Sequence, residues 1–157
     1  PTSEQQHKMT NKLKYLQLQQ LDQHIARIRV CERPSDGWIR AVRKALGMSV
    51  HQLATRMGMT QQALSQFETS ELDDSVTLKT LRKAAEAMGC QFVYAIIPLN
   101  GSLQDIVREQ ATQKAKEIVT DVDHTMQLEA QGVGNMQVKI EEIAGELSKT
   151  PNSRLWE

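Results

Sequence analysis

The sequence predicts a mainly α-helical protein, built as a helical bundle with one C-terminal strand and a helical extension behind it. Apolar residues recur at helical spacing through most of the chain. The composition agrees, because 39% of the residues are hydrophobic but only 4% are aromatic, which favours packed helices over an aromatic-rich sheet. We expect three parts: an N-terminal amphipathic helical arm (1–36), the bundle with its terminal strand (37–98) and the C-terminal extension (99–157).

The first element is an amphipathic helix from Thr10 to about Arg33. Its apolar positions are Leu13, Leu16, Leu21, Ile25 and Ile28, with charged residues and glutamines between them. A helix so rich in glutamine needs a surface to dock on. Two readings stay open, namely packing on its own chain and contact with a second subunit or a partner.

The next elements form the bundle. Residues 38–46 predict a helix whose inward positions are Trp38, Ile39, Val42 and Leu46 and whose outward positions are Arg40, Arg43 and Lys44. Residues 50–69 then predict two short helices joined by a tight turn. Ala54 and Gly58 stand where steeply crossing helices need a small side chain and a positive φ, and Thr60 caps the second helix. This pattern predicts a helix-turn-helix, the alternative being a purely structural helical hairpin.

The second of these helices carries a polar face suited to reading DNA. The expected base-reading residues are Gln61, Gln62, Ser65 and Gln66, since a glutamine amide can both donate to and accept from the major-groove edge of adenine. An ordinary solvated helix face is the alternative. The expected phosphate contacts are Ser49, Arg56, Thr60 and Arg43, with Ser49 acting at a helix N-terminus.

Two further elements close the bundle. Residues 70–75, SELDDS, predict an acidic loop that phosphate would repel, so the loop either points away from DNA or limits non-specific binding. Residues 76–88 predict a helix that ends at Gly89.

Residues 91–97 predict the strand, which Pro98 ends. A lone strand needs a ladder partner for its backbone N–H and C=O groups. We expect the same strand of a second subunit, and hence a homodimer that places its two reading helices on a palindromic operator, one DNA turn or roughly 34 Å apart. The competing interpretation is pairing with residues 27–31 of the same chain.

The C-terminal extension predicts two helices, from Leu103 to about Gln131 and from Met136 to Leu147, separated by residues 132–135. The chain has no net charge, yet residues 1–98 hold 13 basic against 9 acidic residues and residues 99–157 hold 6 against 10. A basic front and an acidic back fit a nucleic-acid module followed by a segment that binds another partner.

Several classes of function find no support in the sequence. The two cysteines, Cys31 and Cys90, lie far apart without metal-ligand spacing, which predicts free thiols in a reducing cytoplasm. Because the sequence has no long apolar run and no apolar signal core near its start, we expect a cytoplasmic, nucleoid-associated protein with no membrane contact. The histidines are isolated and no phosphate-cradling glycine loop is present, so we expect no enzyme, no cofactor and no metal.

The segment from Val50 to Thr69 resembles the phage-repressor, or Xre-like, helix-turn-helix family. In that family the glutamines that match Gln61, Gln62 and Gln66 touch bases. Family members often carry a phosphate-contacting glutamine where Val50 stands, so that contact is lost here. The resemblance implies a sequence-specific DNA-binding repressor. The competing class is a protein-interaction module that neutralises a partner without sequence-specific DNA binding.

Over nearly its full length the chain resembles the family called mobile mystery protein A. The resemblance rests on the helix-turn-helix, on the segment from Gly89-Cys90 to Pro98 and on residues 124–129, HTMQLE. That family is encoded on mobile elements and is commonly paired with a Fic-domain protein, which resembles an AMP-transferring toxin. The resemblance therefore implies an antitoxin that represses its own operon.

A short motif in the extension fits this implication. Inhibitors of Fic proteins present a helix with a Ser or Thr, a Glu four residues later and then Gly or Asn. Thr125 and Glu129 have that spacing, whereas Ala130 departs from it. Glu129 would pair with an arginine that holds the ATP γ-phosphate. The alternative is an ordinary surface glutamate.

Overall fold

The computed structural model describes residues 2–126 and 135–157, without the side chains of His7 and of residues 123–126. The described residues form seven α-helices and a final 3-10 helix. They are α1 (Ser3–Ile25), α2 (Trp38–Ala45), α3 (Val50–Met57), α4 (Gln61–Leu72), α5 (Leu78–Ala87), α6 (Leu103–Met126), α7 (Met136–Lys149) and the 3-10 helix (Ser153–Trp156). The chain divides into a central unit, residues 30–95, and a terminal unit, residues 1–29 and 96–157.

The central unit packs α2, α3, α4 and α5 around one apolar core. Its buried members are Ile39, Leu53, Ala54, Met57, Leu64, Ala84 and Met88. Ala54 and Ala84 are almost completely buried where α3 meets its neighbours, because only small side chains let helix backbones approach closely. The inward position predicted for Ile39 is confirmed, but Trp38 and Leu46 are exposed.

The turn between α3 and α4 has the predicted local chemistry. Ser49 caps α3, with its Oγ accepting from the backbone N–H of Gln52 at 3.1 Å. Gly58 ends α3 in the left-handed region at φ 69°, which glycine adopts without the strain of a Cβ atom. Thr60 then caps α4, accepting from the N–H of Ala63 at 3.1 Å. The caps set the start of each helix and so the direction in which α4 leaves the turn.

The predicted strand at residues 91–97 is wrong. The described residues contain no strand, and residues 90–98 have no regular secondary structure. Residues 27–31, the alternative ladder partner, form no strand either. Apolar β-branched and aromatic residues favour a half-buried pleated surface only when a neighbouring strand supplies it. Without one in the described chain, Val93 is left 70% exposed.

The terminal unit is built on α6 and α7. Their buried residues share one core with Leu155, which the 3-10 helix inserts. That core consists of Val107, Ala111, Ala115, Val119, Ile140, Ala144 and Leu155. Gln110 Nε2 donates to the carbonyl of Leu155 at 2.9 Å, which fixes the chain end on α6. The predicted extension of α6 to Gln131 lies outside the described residues.

Helix α1 groups with α6 and α7 and is not a separate arm. The Asp22 carboxylate accepts from the backbone N–H groups of Leu103 and Gln104 at 2.7 and 3.0 Å, so it caps α6. The apolar face predicted for α1 is not the face that packs in the terminal unit. Leu13, Leu16 and Leu21 are exposed, and α1 packs instead through residues such as Asn11 and Leu18.

Candidate nucleic-acid interface

The four residues expected to read bases lie together on one face of α4. Gln61, Gln62, Ser65 and Gln66 are all exposed, while Leu64 between them is fully buried in the core. In the part of the chain that the structure describes, no hydrogen bond engages the three glutamine amides. Their donors and acceptors are therefore available to an external partner.

The expected phosphate contacts Ser49 and Thr60 are the caps of α3 and α4. Both residues are exposed, and neither helix has an acidic residue in its first turn. Each hydroxyl satisfies only one of the free N–H groups at its helix N-terminus. The remaining N–H groups and the positive end of the helix dipole favour an anion there.

Arg56 lies near the end of α3 and is exposed. Its Nη1 donates to the carbonyl of Ala87 at the end of α5, at 3.2 Å. This bond ties one nitrogen of the guanidinium to α5. The group has further N–H donors that an external acceptor can use.

The outward position predicted for Arg43 is wrong. Arg43 is only 7% exposed and forms a bidentate ion pair with Glu68, with Nε to Oε1 at 2.6 Å and Nη2 to Oε2 at 3.1 Å. Its Nη1 also donates to the carbonyl of Met48 at 3.0 Å. Each of the three guanidinium nitrogens therefore donates a hydrogen bond inside the unit. Arg43 is therefore buried and paired, and it is not placed to contact phosphate as expected.

Glu68 is the residue that joins α4 to α2. It is 2% exposed and accepts from Arg40 Nε at 3.0 Å as well as from Arg43. Burial raises the pKa of Glu68, but the hydrogen bonds from Arg43 and Arg40 outweigh burial and hold that pKa below its usual value. The carboxylate therefore stays charged at neutral pH and holds α4 at a fixed position on α2.

The acidic loop predicted at residues 70–75 is only partly a loop, because α4 continues to Leu72. Glu71 is 4% exposed and accepts from the backbone N–H groups of Trp38 and Ile39 at 2.5 and 2.9 Å, so it caps α2 from a distance. Gly37 has φ 80°, and a Cβ atom there would lie 2.8 Å from Glu71 Oε2. The close approach of this carboxylate therefore requires glycine at position 37.

Glu68 and Glu71 together form what we call the carboxylate clamp. Both project from the buried side of α4 toward α2, one to two arginines and the other to a helix N-terminus. The four residues expected to read bases are exposed, whereas both carboxylates of the clamp are buried. Neither contact is visible in a local sequence pattern, because the partners lie 25 to 33 positions apart.

Residues 39–94 match a family model described as helix-turn-helix. The match spans the four helices of the central unit and supports the Xre-like family. It indicates a DNA-binding transcription regulator. Neither a curated protein nor a solved structure matches the chain. Among the described residues, no helix is long and apolar enough to cross a membrane.

Proposed function

We propose that this protein is a sequence-specific DNA-binding repressor in which α4 lies in the major groove. The observation that carries this proposal is the exposed polar face of Gln61, Gln62, Ser65 and Gln66 on a helix that the buried carboxylate clamp holds against α2. A glutamine amide matches the N6 and N7 atoms of adenine. A helix with a fixed orientation can present several such groups at once.

Three groups would hold the central unit on the DNA backbone. They are the helix N-termini at Ser49 and Thr60 and the guanidinium of Arg56. Because only one of these is a full positive charge, a single unit has few counterions to release, and its affinity would be modest. A homodimer on a palindromic operator doubles the contacts. Val93 and Tyr94, exposed apolar residues of the central unit, support a contact between subunits.

The terminal unit supports a second role, in which the protein binds a partner protein. On α1, Met9, Leu13 and Leu16 are 71%, 56% and 44% exposed. Helical spacing puts them on one stripe, on the side away from Leu18 and Asp22. We call Met9, Leu13 and Leu16 the α1 stripe. Lys8 and Lys12 flank it, and residues 5–21 contain no acidic side chain, which favours an apolar segment with acidic flanks as the partner.

The resemblance to mobile mystery protein A makes this role more specific. It supports an autoregulatory antitoxin of a Fic-type toxin pair, encoded on a mobile element. The inhibitory motif expected at Thr125 and Glu129 lies outside the described side chains, so the proposal rests on the resemblance and on the α1 stripe. The alternative function is a protein-interaction module that neutralises its partner without sequence-specific DNA binding.

The experiment that tests DNA reading compares a fluorescent duplex of the upstream region with a scrambled duplex, across a salt series. We expect tight, salt-dependent preference for the upstream duplex. Gln62→Ala should keep its fold and lose about 1–3 kcal/mol of discrimination at one base pair. Gln113→Ala is the matched control, because Gln113 is an exposed glutamine of α6 in the terminal unit.

Two results would contradict the proposal. The first is equal binding of the wild-type protein to both duplexes, which would leave the helix-turn-helix as a scaffold and favour the interaction module. The second is an equal effect of Gln62→Ala and Gln113→Ala, which would remove α4 from base reading.

A further inference from the structure

A cavity of about 300 Å³ lies within the central unit. Helices α2 and α5 line it with apolar residues that include Ile39 and Ala85, and the segment after α5 covers it with Phe92 and Val93. Such a volume is at the lower end of the range for small-molecule sites. Its lining is largely apolar, and it offers Glu71 as a charged group, which the N-terminus of α2 already occupies.

Both cysteines of the chain line this same cavity. Cys31 comes from the segment before α2, and Cys90 comes directly after α5. Both are free thiols and both are exposed, so oxidants in solution reach them. The sequence alone gave no reason to pair them, since almost the whole central unit separates them.

The backbone around Cys31 differs in structure from the backbone around Cys90. The backbone N–H of Cys90 donates to the carbonyl of Ala85 at 2.8 Å, which fixes Cys90 at the end of α5. Cys31 lies in residues 28–34, which have no regular secondary structure. The nearest anchor is Arg33, whose Nη1 donates to the carbonyl of Glu71 at 2.7 Å. One thiol is therefore held at the end of α5, and the other lies in an irregular segment that lines the same cavity. A disulfide between them needs a separation of Cα atoms below about 7 Å.

We propose that Cys31 and Cys90 form a dithiol site that a hydroperoxide converts into an intramolecular disulfide. One thiolate attacks the terminal peroxide oxygen, the O–O bond breaks, and a sulfenic acid and water (or an alcohol) form. The second thiolate then attacks the sulfenic sulfur, the S–O bond breaks and the oxygen leaves as water. The two sulfurs lose two electrons, which reduce the peroxide. The reduced protein carries the two free thiols, and the oxidised form encloses α2 to α5 in one covalent loop.

The test uses the full chain, oxidised by hydrogen peroxide in graded amounts and then digested with trypsin. We expect the peptide from Val30 to Arg40 joined to the peptide from Ala84 to Arg108. Cys31→Ser and Cys90→Ser should each abolish the joined peptide. The loop holds most of the central unit, so oxidation should raise its thermal midpoint by on the order of 10 °C, and dithiothreitol should reverse the rise.

Tryptophan fluorescence gives a second measurement. Trp38 lines the same cavity, whereas Trp156 belongs to the terminal unit. In a Trp156→Phe background, we expect peroxide to change Trp38 emission only when both cysteines are present. An equal change in the Cys31→Ser and Cys90→Ser controls would contradict the proposal.

Mixing isotopically labelled and unlabelled protein before oxidation distinguishes a disulfide within one chain from a disulfide between two chains. Joined peptides of a single label support the intramolecular bond. Joined peptides of mixed label, or sulfinic acids without joined peptides, overturn it. An unchanged thermal midpoint in fully joined protein overturns the claim that the bond encloses the folded unit.

Discussion

The central and terminal units both use a carboxylate to cap a distant helix, but they bury that carboxylate to different extents. In each, a carboxylate caps a helix that lies far away in the sequence: Glu71 caps α2, and Asp22 caps α6. In the central unit the capping carboxylate is buried and stands beside a second buried glutamate, Glu68, with two arginine partners. In the terminal unit Asp22 is only partly buried, and its packing leaves the α1 stripe uncovered.

The difference corresponds to what each unit is proposed to do. A buried ion pair is costly to desolvate, and its benefit is one defined arrangement more than extra stability. Base reading needs such an arrangement, because amide groups must meet base edges within hydrogen-bonding distance. A docking surface needs exposed apolar area, which the terminal unit offers on α1.

Removing the Glu68 side chain should have the largest effect on the stability of the central unit. Glu68→Ala leaves Arg43 buried without its partner, and we expect a loss of about 3–5 kcal/mol in the free energy of unfolding of the central unit. Urea unfolding followed by Trp38 fluorescence in a Trp156→Phe background measures it. Glu86→Ala is the matched control, because Glu86 is an exposed glutamate of α5. A loss below about 1 kcal/mol would contradict the carboxylate clamp.

The glycine at position 37 tests the other half of the clamp. Gly37 and Gly47 both have positive φ, at 80° and 72°, but only a Cβ atom at position 37 would meet Glu71. Backbone strain costs each alanine variant about 1–2 kcal/mol. We expect Gly37→Ala to cost at least about 1 kcal/mol more, because it displaces a carboxylate that accepts from two N–H groups of α2, one of them buried. Equal losses in the two variants would show that Glu71 moves aside freely.

The sequence predicted the local parts of this structure well. Ser49, Gly58 and Thr60 act within their own turn, and Ile39 follows the period of its own helix, so local patterns were enough to place them. The exposure of Gln61, Gln62, Ser65 and Gln66 also agrees with the local pattern, whereas their role in base reading stays a prediction.

The failures share one physical cause, which is dependence on distant partners. Arg43 was expected outside because its buried acceptor lies 25 positions away. Glu71 was assigned to an acidic loop because nothing nearby shows that it caps α2. On α1, two faces carry apolar residues, and only tertiary packing decides which of them is buried. A strand was expected at residues 91–97 from propensity, which does not supply a ladder partner.

Acid should lower the free energy of unfolding of the central unit, by a smaller amount than the substitutions above. The pKa of Glu68 is lowered in the folded state, so its ion pairs contribute stability above the unfolded value of about 4.3, and that contribution is lost as pH falls through the folded pKa. We expect the free energy of unfolding reported by Trp38 to fall with acid more steeply in the wild type than in Glu68→Gln, which lacks this titration. Parallel curves would contradict the assigned pKa shift.

The smallest effect on stability is expected at the α1 stripe. Because Leu13 is more than half exposed, Leu13→Ser should change the free energy of unfolding of the terminal unit by less than about 0.5 kcal/mol. Leu18→Ser is the matched control on the same helix, since Leu18 packs against the core of that unit and its loss should cost about 1–3 kcal/mol. Urea unfolding followed by Trp156 fluorescence in a Trp38→Phe background measures both variants. Equal losses would mean that Leu13 is held within the fold, and the stripe would then lose its role as a docking surface. If Leu13→Ser is neutral in stability but weakens binding of an acidic, apolar partner segment, the exposed face of α1 serves recognition and the buried face serves packing.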